Sequence, residues 1–264
     1  MRSFPKVIAE LQRDKVKILV YENRLEMGQA AAIFVSNLIQ NMLFKNKSIN
    51  MAFAAAPSQN EFLDSLVNLP GIDWNRIRAF HLDEYLGLPP EAPQRFSRYL
   101  YEKIFSRVPF MEVHYLVPGN KKTPEEICAY YRNLLDAYPL HIACVGIGEN
   151  GHIAFNDPPV ADFQDPCKVK VVRLDETCRR QQVHDGCFAT LDEVPTHAIT
   201  LTIPAIMEAE AIVCVVPGKR KAEAVRKALE GPITTECPAS ILRKHSNATI
   251  FLDAESASLV LKGR

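Results

Sequence analysis

At 264 residues the chain has room for one large α/β domain, or at most two small ones. Its 31 basic residues balance 31 acidic ones with no basic block, which argues against nucleic acid or an anionic membrane as a partner. The seven cysteines form no C-x-x-C pair, no stretch is apolar enough to span a membrane and no apolar leader opens the chain, so a cytoplasmic protein with reduced thiols is expected.

Residues 15–21 predict a first strand, and residues 24–44 carry apolar side chains at helical spacing. Residues 49–56 predict a second strand. Ser58 with Glu61 reads as a capping box opening a helix through Leu66. After the Pro70-Gly71 turn, residues 76–82 form a third expected strand, ending in Asp83, Glu84 and Tyr85. A helix over 95–105 and a short strand over 113–117 follow, and then Thr123, Pro124 and Glu126 mark a helix start running to about Ala137.

Residues 140–145 suit a buried parallel strand, which runs into a loop bent by Gly146, Gly148 and Gly151 just before His152 and Asp157. The G-x-G-x-x-G spacing there is not a dinucleotide fingerprint, since His-Ile-Ala-Phe-Asn-Asp-Pro-Pro opens no long helix. Further strands are expected over 168–173, 197–201, 211–216 and 249–252, with a polar helix over 175–183 that has few core anchors. Another helix follows Pro217-Gly218, from Lys219 to Leu229. Alternating strands and helices predict a mostly parallel sheet with helices on both faces, in a single domain over residues 1–264.

In such a sheet Ser58, Asp83, His152 with Asp157, and Lys219 to Lys221 all follow strands and share one rim. Lys219, Arg220 and Lys221 at a helix start suit an anion such as phosphate, and Ser58 is a second phosphate candidate; a solvated helix end and a plain cap are the alternatives. Asp83 and His152 can move protons near neutral pH. No G-x-S-x-G elbow and no metal-cage spacing is present. Glu84 reads as a structural carboxylate, Tyr85 as a packing residue, and His81, His141 and His197 as core histidines.

Two runs, Phe80-His-Leu-Asp-Glu-Tyr-Leu-Gly-Leu-Pro89 and Gly146-Ile-Gly-Glu-Asn-Gly-His-Ile-Ala-Phe-Asn156, resemble the signatures of the glucosamine-6-phosphate deaminase/isomerase family. Ile199-Thr-Leu-Thr-Ile-Pro204, Gly218-Lys-Arg-Lys221 and Pro238-Ala-Ser-Ile-Leu242 fit the same order. The resemblance implies a Rossmann-like three-layer α/β sandwich that converts glucosamine 6-phosphate to fructose 6-phosphate and ammonia. It implies no cofactor, a small phosphosugar as the partner, and is compatible with a homo-oligomer. By matching position, Asp83 is the base, His152 the ring-opening acid/base, Asp157 its supporting carboxylate and Lys221 a phosphate ligand. Asn150 stands where many members carry Asp, and Gly148 and Gly151 belong to the same substrate loop.

The chain also departs from the family. The first phosphate loop reads Ala55-Ala-Pro-Ser-Gln59, leaving Ser58 and Gln59 as its polar groups without the usual glycines, and Asp157 replaces Glu. The lid arginine aligns near His184, with Arg179 and Arg180 as substitutes. A 6-phosphogluconolactonase-like enzyme, another phosphosugar isomerase and a non-catalytic sugar-phosphate sensor are the alternatives. The sensor is disfavoured because no helix-turn-helix precedes the first strand and both Asp83 and His152 are retained.

Overall fold

The computed structural model describes residues 5–117 and 123–261. It opens with a hairpin that apolar spacing did not predict: β1 (Val7–Arg13) runs antiparallel to β2 (Val16–Tyr21) through a turn with Asp14 at φ 49°. β1 lies at a sheet edge and buries only Leu11, so nothing imposes an alternating pattern on it.

Asn23 caps α1 (Arg24–Lys45) by accepting from the Glu26 amide. β3 (Ile49–Phe53) leads through a 3-10 turn at Pro57–Gln59 into α2 (Asn60–Val67). The expected capping box at Ser58 does not form: Ser58 lies inside that turn, makes no cap hydrogen bond, and α2 begins only at Asn60. Pro57 fixes the tight turn that takes Ser58 past the capping position. β4 (Ile77–His81) and the short β5 (Asp83–Tyr85) follow, then α3 (Phe96–Leu100), which runs on into a π turn at Tyr101–Phe105.

Next come β6 (Glu112–His114) and α4 (Pro124–Ala137), where Thr123 and Glu126 make both bonds of the expected capping box. β7 (Ile142–Val145), β8 (Val169–Arg173) and α5 (Glu176–His184) lead to β9 (His197–Leu201) and α6 (Ile203–Met207). β10 (Ala211–Val216), α7 (Ala222–Glu230), β11 (Ala248–Asp253) and α8 (Ser258–Leu261) complete the described chain.

Eight strands form the main sheet in the order β1-β2-β11-β10-β7-β3-β4-β6, parallel throughout except for the β1–β2 pair. Successive side chains point to opposite faces. In β10, Ile212, Cys214 and Val216 join one core while Val213 and Val215 join the other, and in β4 Phe80 is separated from Ile77 and Ala79 in the same way. Helices cover both faces, as expected of a three-layer sandwich. The chain moves outward from β3 through β4 to β6, then returns to β7 and continues the opposite way through β10 to β11. The sheet therefore reverses direction between β7 and β3, where an open α/β sheet leaves a crevice at its carboxyl edge.

β5, β9 and β8 make a second, three-stranded antiparallel sheet. Residues 168–173 and 197–201 are strands as expected, but outside the parallel sheet. β8 exposes Val171 and Arg173 and buries Val169 and Val172, a half-solvated pattern that antiparallel strands tolerate and central parallel strands do not.

Candidate active site

Four adjacent strands, β10, β7, β3 and β4, deliver their exits to one rim. A cleft of about 470 Å³ opens there, with Ser58, Asp83, Gly148, His152 and Lys221 on its walls. A more open groove of about 1640 Å³ lies elsewhere, beside α1 and α2, but its charged walls are the carboxylates of Glu26, Glu61 and Asp64. It offers nothing to balance a phosphate.

The loop after β7 holds His152 by its Nδ1 edge. Nδ1 lies 2.9 Å from Asp157 Oδ1 and 2.7 Å from Asn150 Oδ1, so this nitrogen carries the proton toward two oxygens and Nε2 is left for the cleft. Asn150 donates from Nδ2 to Asp157 Oδ1 at 2.9 Å and accepts the His152 amide at 3.0 Å, bracing both partners without lining the cleft. Asp157 is fully buried and also accepts the Asp175 amide at 3.2 Å. Burial pushes its carboxyl up, but His152, Asn150 and the Asp175 amide together hold it below the ordinary carboxylate value. Asp157 is the fixed charge that orients the imidazole.

Asp83 faces the same cleft from β5 and makes no side-chain hydrogen bond within the described residues. Burial, then the nearby charges of Glu84 and Asp157, push its carboxyl well above the ordinary range, toward the behaviour of a general base. Glu84 is structural, as expected: its two oxygens accept the amides of Tyr85, Phe96 and Ser97 at the start of α3. Tyr85 packs against Phe96, Phe155 and Phe188. His81 and His141 are satisfied inside the fold. His197 is exposed at the first position of β9 and pairs with Thr196, so it is no core histidine.

Lys221 ends the 3-10 turn at Lys219–Lys221 and lines the cleft, with its ammonium free of hydrogen bonds to the described protein. Burial lowers its pKa, which the carboxylates of Asp185 and Glu149 oppose. Ser58 reaches the cleft too. Gln59, grouped with it from sequence, instead turns inward, donating to Val215 O at 3.1 Å, because its amide closes the end of β10. Two other expected binding residues also stay outside the cleft. Arg180 is exposed and bonded to Glu176 one turn earlier on α5, and His184 sits at the end of α5 beside Glu149. Helical spacing decides this: α5 presents Cys178, Gln181 and Gln182 inward and therefore turns Arg180 and His184 out.

Gly148 lines the cleft, whereas Gly151 shapes the loop from behind at φ 87° and accepts the Ala239 amide. Spacing did not reveal the inward groups of α5. Gln181 accepts the Glu149 amide at 2.8 Å, and Gln182 reaches the cleft with no side-chain partner in the described protein. His152, Asp157 and Cys178 also converge, with ligand-type atoms within 4.8 Å, although no metal spacing was visible in the chain. His152 hydrogen-bonds to Asp157, and the buried thiol of Cys178 lies beside that pair. Asp175 was readable as a helix start, and it caps α5 by accepting the Thr177 amide.

Residues 22–251 match the family model described as glucosamine-6-phosphate isomerases/6-phosphogluconolactonase. A glucosamine-6-phosphate deaminase of Bacillus cereus strain B4264 is 33% identical over 92% of this chain and 89% of its own length. A solved monomeric glucosamine-6-phosphate deaminase superposes with a TM-score of 0.82 at 30% identity, covering 92% of this chain and 99% of its own. The 6-phosphogluconolactonase of Thermotoga maritima shares the fold at a TM-score of 0.73 and 20% identity, over 90% of this chain and 100% of its own. With the rim of Asp83, His152 and Lys221 built on the matched segment, the chain belongs to the glucosamine-6-phosphate isomerase/6-phosphogluconolactonase family.

Proposed function

We propose that the protein converts glucosamine 6-phosphate and water to fructose 6-phosphate and ammonia. One observation carries this assignment: the raised carboxyl of Asp83, which has no side-chain hydrogen bond among the described residues, the imidazole of a braced His152 and the ammonium of Lys221 line the same cleft. His152 passes a proton between the C1 hydroxyl and the ring oxygen, which opens the sugar. Asp83 removes the proton from C2 as the C1 oxygen becomes a hydroxyl, then delivers a proton to C1. The enolamine becomes an imine at C2, water adds there, and ammonia leaves as a ketone forms. Asp157 and Asn150 keep the imidazole in one orientation throughout. Lys221 and Ser58 bind the phosphate, with Gln182 as a neutral hydrogen-bonding partner.

We assign residues 1–264 to one catalytic domain acting in the cytoplasm, in line with balanced charge and with no described helix long and apolar enough to cross a membrane. Analytical ultracentrifugation distinguishes a monomer from a homo-oligomer. The activity is tested by coupled assay of ammonia and fructose 6-phosphate released from glucosamine 6-phosphate, with 6-phosphogluconolactone as the competing substrate. Release of both products in equal amounts is expected. Hydrolysis of the lactone alone overturns the proposal.

A further inference from the structure

β10 runs past its pairing on both edges, and a side chain takes over each time. Toward β7 the register ends at Cys214 with Val145, and Gln59 donates to the next carbonyl, Val215 O, at 3.1 Å. Toward β11 it ends at Val216 with Leu252. Pro217 then has no N–H to offer, so the next donor along the chain is the Gly218 amide. That amide meets the carboxylate of Asp253, the last residue of β11, at 3.0 Å from each oxygen.

The carboxylate is held in place from behind. Asp253 is 3% exposed, its Oδ1 accepts the Ser256 amide at 2.8 Å, and its own amide donates to Ser256 Oγ at 3.2 Å. A bond from a backbone amide to an ionised carboxylate is charge-assisted, so this contact fixes Gly218 more firmly than a ladder bond would. Gly218 stands at φ 93°, and a β-carbon there would meet no atom within 4 Å, so the glycine is required by backbone conformation alone. Its carbonyl accepts the Lys221 amide at 3.0 Å and closes the Lys219–Lys221 turn.

Asp253 is absent from the cleft walls, whereas Lys221 lines them. The Lys221 ammonium has no hydrogen bond among the described residues, so no protein partner steers it and its reach is set by where the backbone places the residue. We propose that Asp253 is a positioning residue: by fixing Gly218 it aims Lys221 into the cleft and sets how tightly the phosphate of the substrate is held. The proposal rests on the reading of Lys221 as a phosphate ligand given above. Because Asp253 touches neither the cleft nor the reacting atoms, its influence falls on binding and leaves the proton transfers of Asp83 and His152 alone.

The test compares Asp253→Ala, which removes the acceptor, with Asp253→Asn, which keeps an oxygen in a side chain of the same shape, each in the wild-type and the Lys221→Met background. KM and kcat are measured with glucosamine 6-phosphate, and the Kd of fructose 6-phosphate by calorimetry. Asp253→Ala is expected to raise KM and Kd about tenfold with kcat nearly unchanged, and Asp253→Asn to raise them less than about threefold. In the Lys221→Met background neither should add a further rise, since both substitutions then act on one lost contact. Gly218→Ala strains the same backbone with Asp253 intact, and should give a rise in KM and Kd that Lys221→Met likewise absorbs.

Unchanged KM and Kd in Asp253→Ala, or an equal rise with and without Lys221, overturns the proposal. If Asp253→Ala does not fold, Asp253→Asn and Gly218→Ala decide it, and an effect of Gly218→Ala independent of Lys221 overturns it. A wild-type protein that binds fructose 6-phosphate but releases no ammonia overturns the deaminase assignment instead, and the calorimetric comparison still decides the role of Asp253. No binding of fructose 6-phosphate by the wild-type protein removes Lys221 as a phosphate ligand and this proposal with it.

Discussion

Gly148 lies directly against the imidazole of His152: a β-carbon at position 148 would stand 2.1 Å from His152 Cε1 and 2.3 Å from each ring nitrogen. No heavy-atom pair tolerates that approach, so the ring keeps its place only while residue 148 has no side chain. Gly148→Ala is expected to leave the fold intact, since the displaced group borders an open cleft. It should lower kcat/KM about a hundredfold, the usual scale for an ångström-sized misplacement of a catalytic group. Steady-state kinetics beside a thermal melt check this, and unaltered kinetics would remove His152 from the chemistry.

Asp83→Asn should reduce kcat by about a hundred- to ten-thousandfold while KM changes little, as expected for loss of a general base. Its stability should change with pH in a defined direction. The folded protein holds the Asp83 proton more tightly than the unfolded chain does, because the carboxyl is raised above 3.8. Stability from this group is therefore fully present below the unfolded value and is lost as pH rises through the raised folded value. The Asn variant should melt higher than wild type at pH 8, with the gap closing on acidification toward about pH 4. A gap that is constant across this range would mean Asp83 ionises like an exposed carboxylate.

Lys221 and Ser58 should separate cleanly. Lys221→Met is expected to raise KM for the phosphorylated sugar about ten- to a hundredfold, the scale of a lost charge-assisted hydrogen bond. Ser58 makes no cap contact, so Ser58→Ala should raise KM by less than tenfold and leave the melting temperature where it was. Both are measured at fixed ionic strength. A marked drop in melting temperature for Ser58→Ala would return Ser58 to a structural role.

Gln182 and Gln181 are neighbours in α5 with different work. Both border the cleft, but Gln182 has no side-chain partner in the described protein, whereas Gln181 holds the Glu149 amide. Gln182→Ala should raise KM about threefold to tenfold at unchanged melting temperature. Gln181→Ala should lower the melting temperature by leaving the half-buried Glu149 amide without its partner. Kinetics and melts of the pair, run together, decide it; the reverse pattern would mean α5 meets the cleft through its other side.

Local signals carried much of the fold. Residues 49–53, 142–145 and 211–216 are apolar runs because parallel strands are buried on both faces, and that requirement is visible in composition alone. Thr123 and Glu126 announce α4 because a capping box is completed within four residues. Asp83, His152 and Lys221 fall on one rim for a similar reason: in a parallel sheet every strand exit points the same way, so order along the chain implies proximity in space.

Where distant contacts choose between locally equivalent options, the chain was silent or misleading. Ser58 and Thr123 carry the same capping spacing, yet Pro57 and the 3-10 turn remove the cap at Ser58. β1 exists because β2 offers it an edge, and its own pattern does not demand a strand. Arg180 and His184 carry the charge that invites assignment to a phosphate, but the packing of Cys178 and Gln182 turns the helix the other way.

The sequence by itself determined the α/β class, the parallel core and the residues brought to the carboxyl rim, because strand burial, turn chemistry and caps act over a few neighbouring residues. Only the tertiary structure decided which polar groups enter the cleft and which ionise. Asp83 and Asp157 are both buried carboxyls, yet the first faces carboxylates and is raised while the second collects an imidazole and amide donors and is lowered. That difference comes from burial and from partners supplied by separate strands, loops and α5, and such environments arise only once the chain has folded.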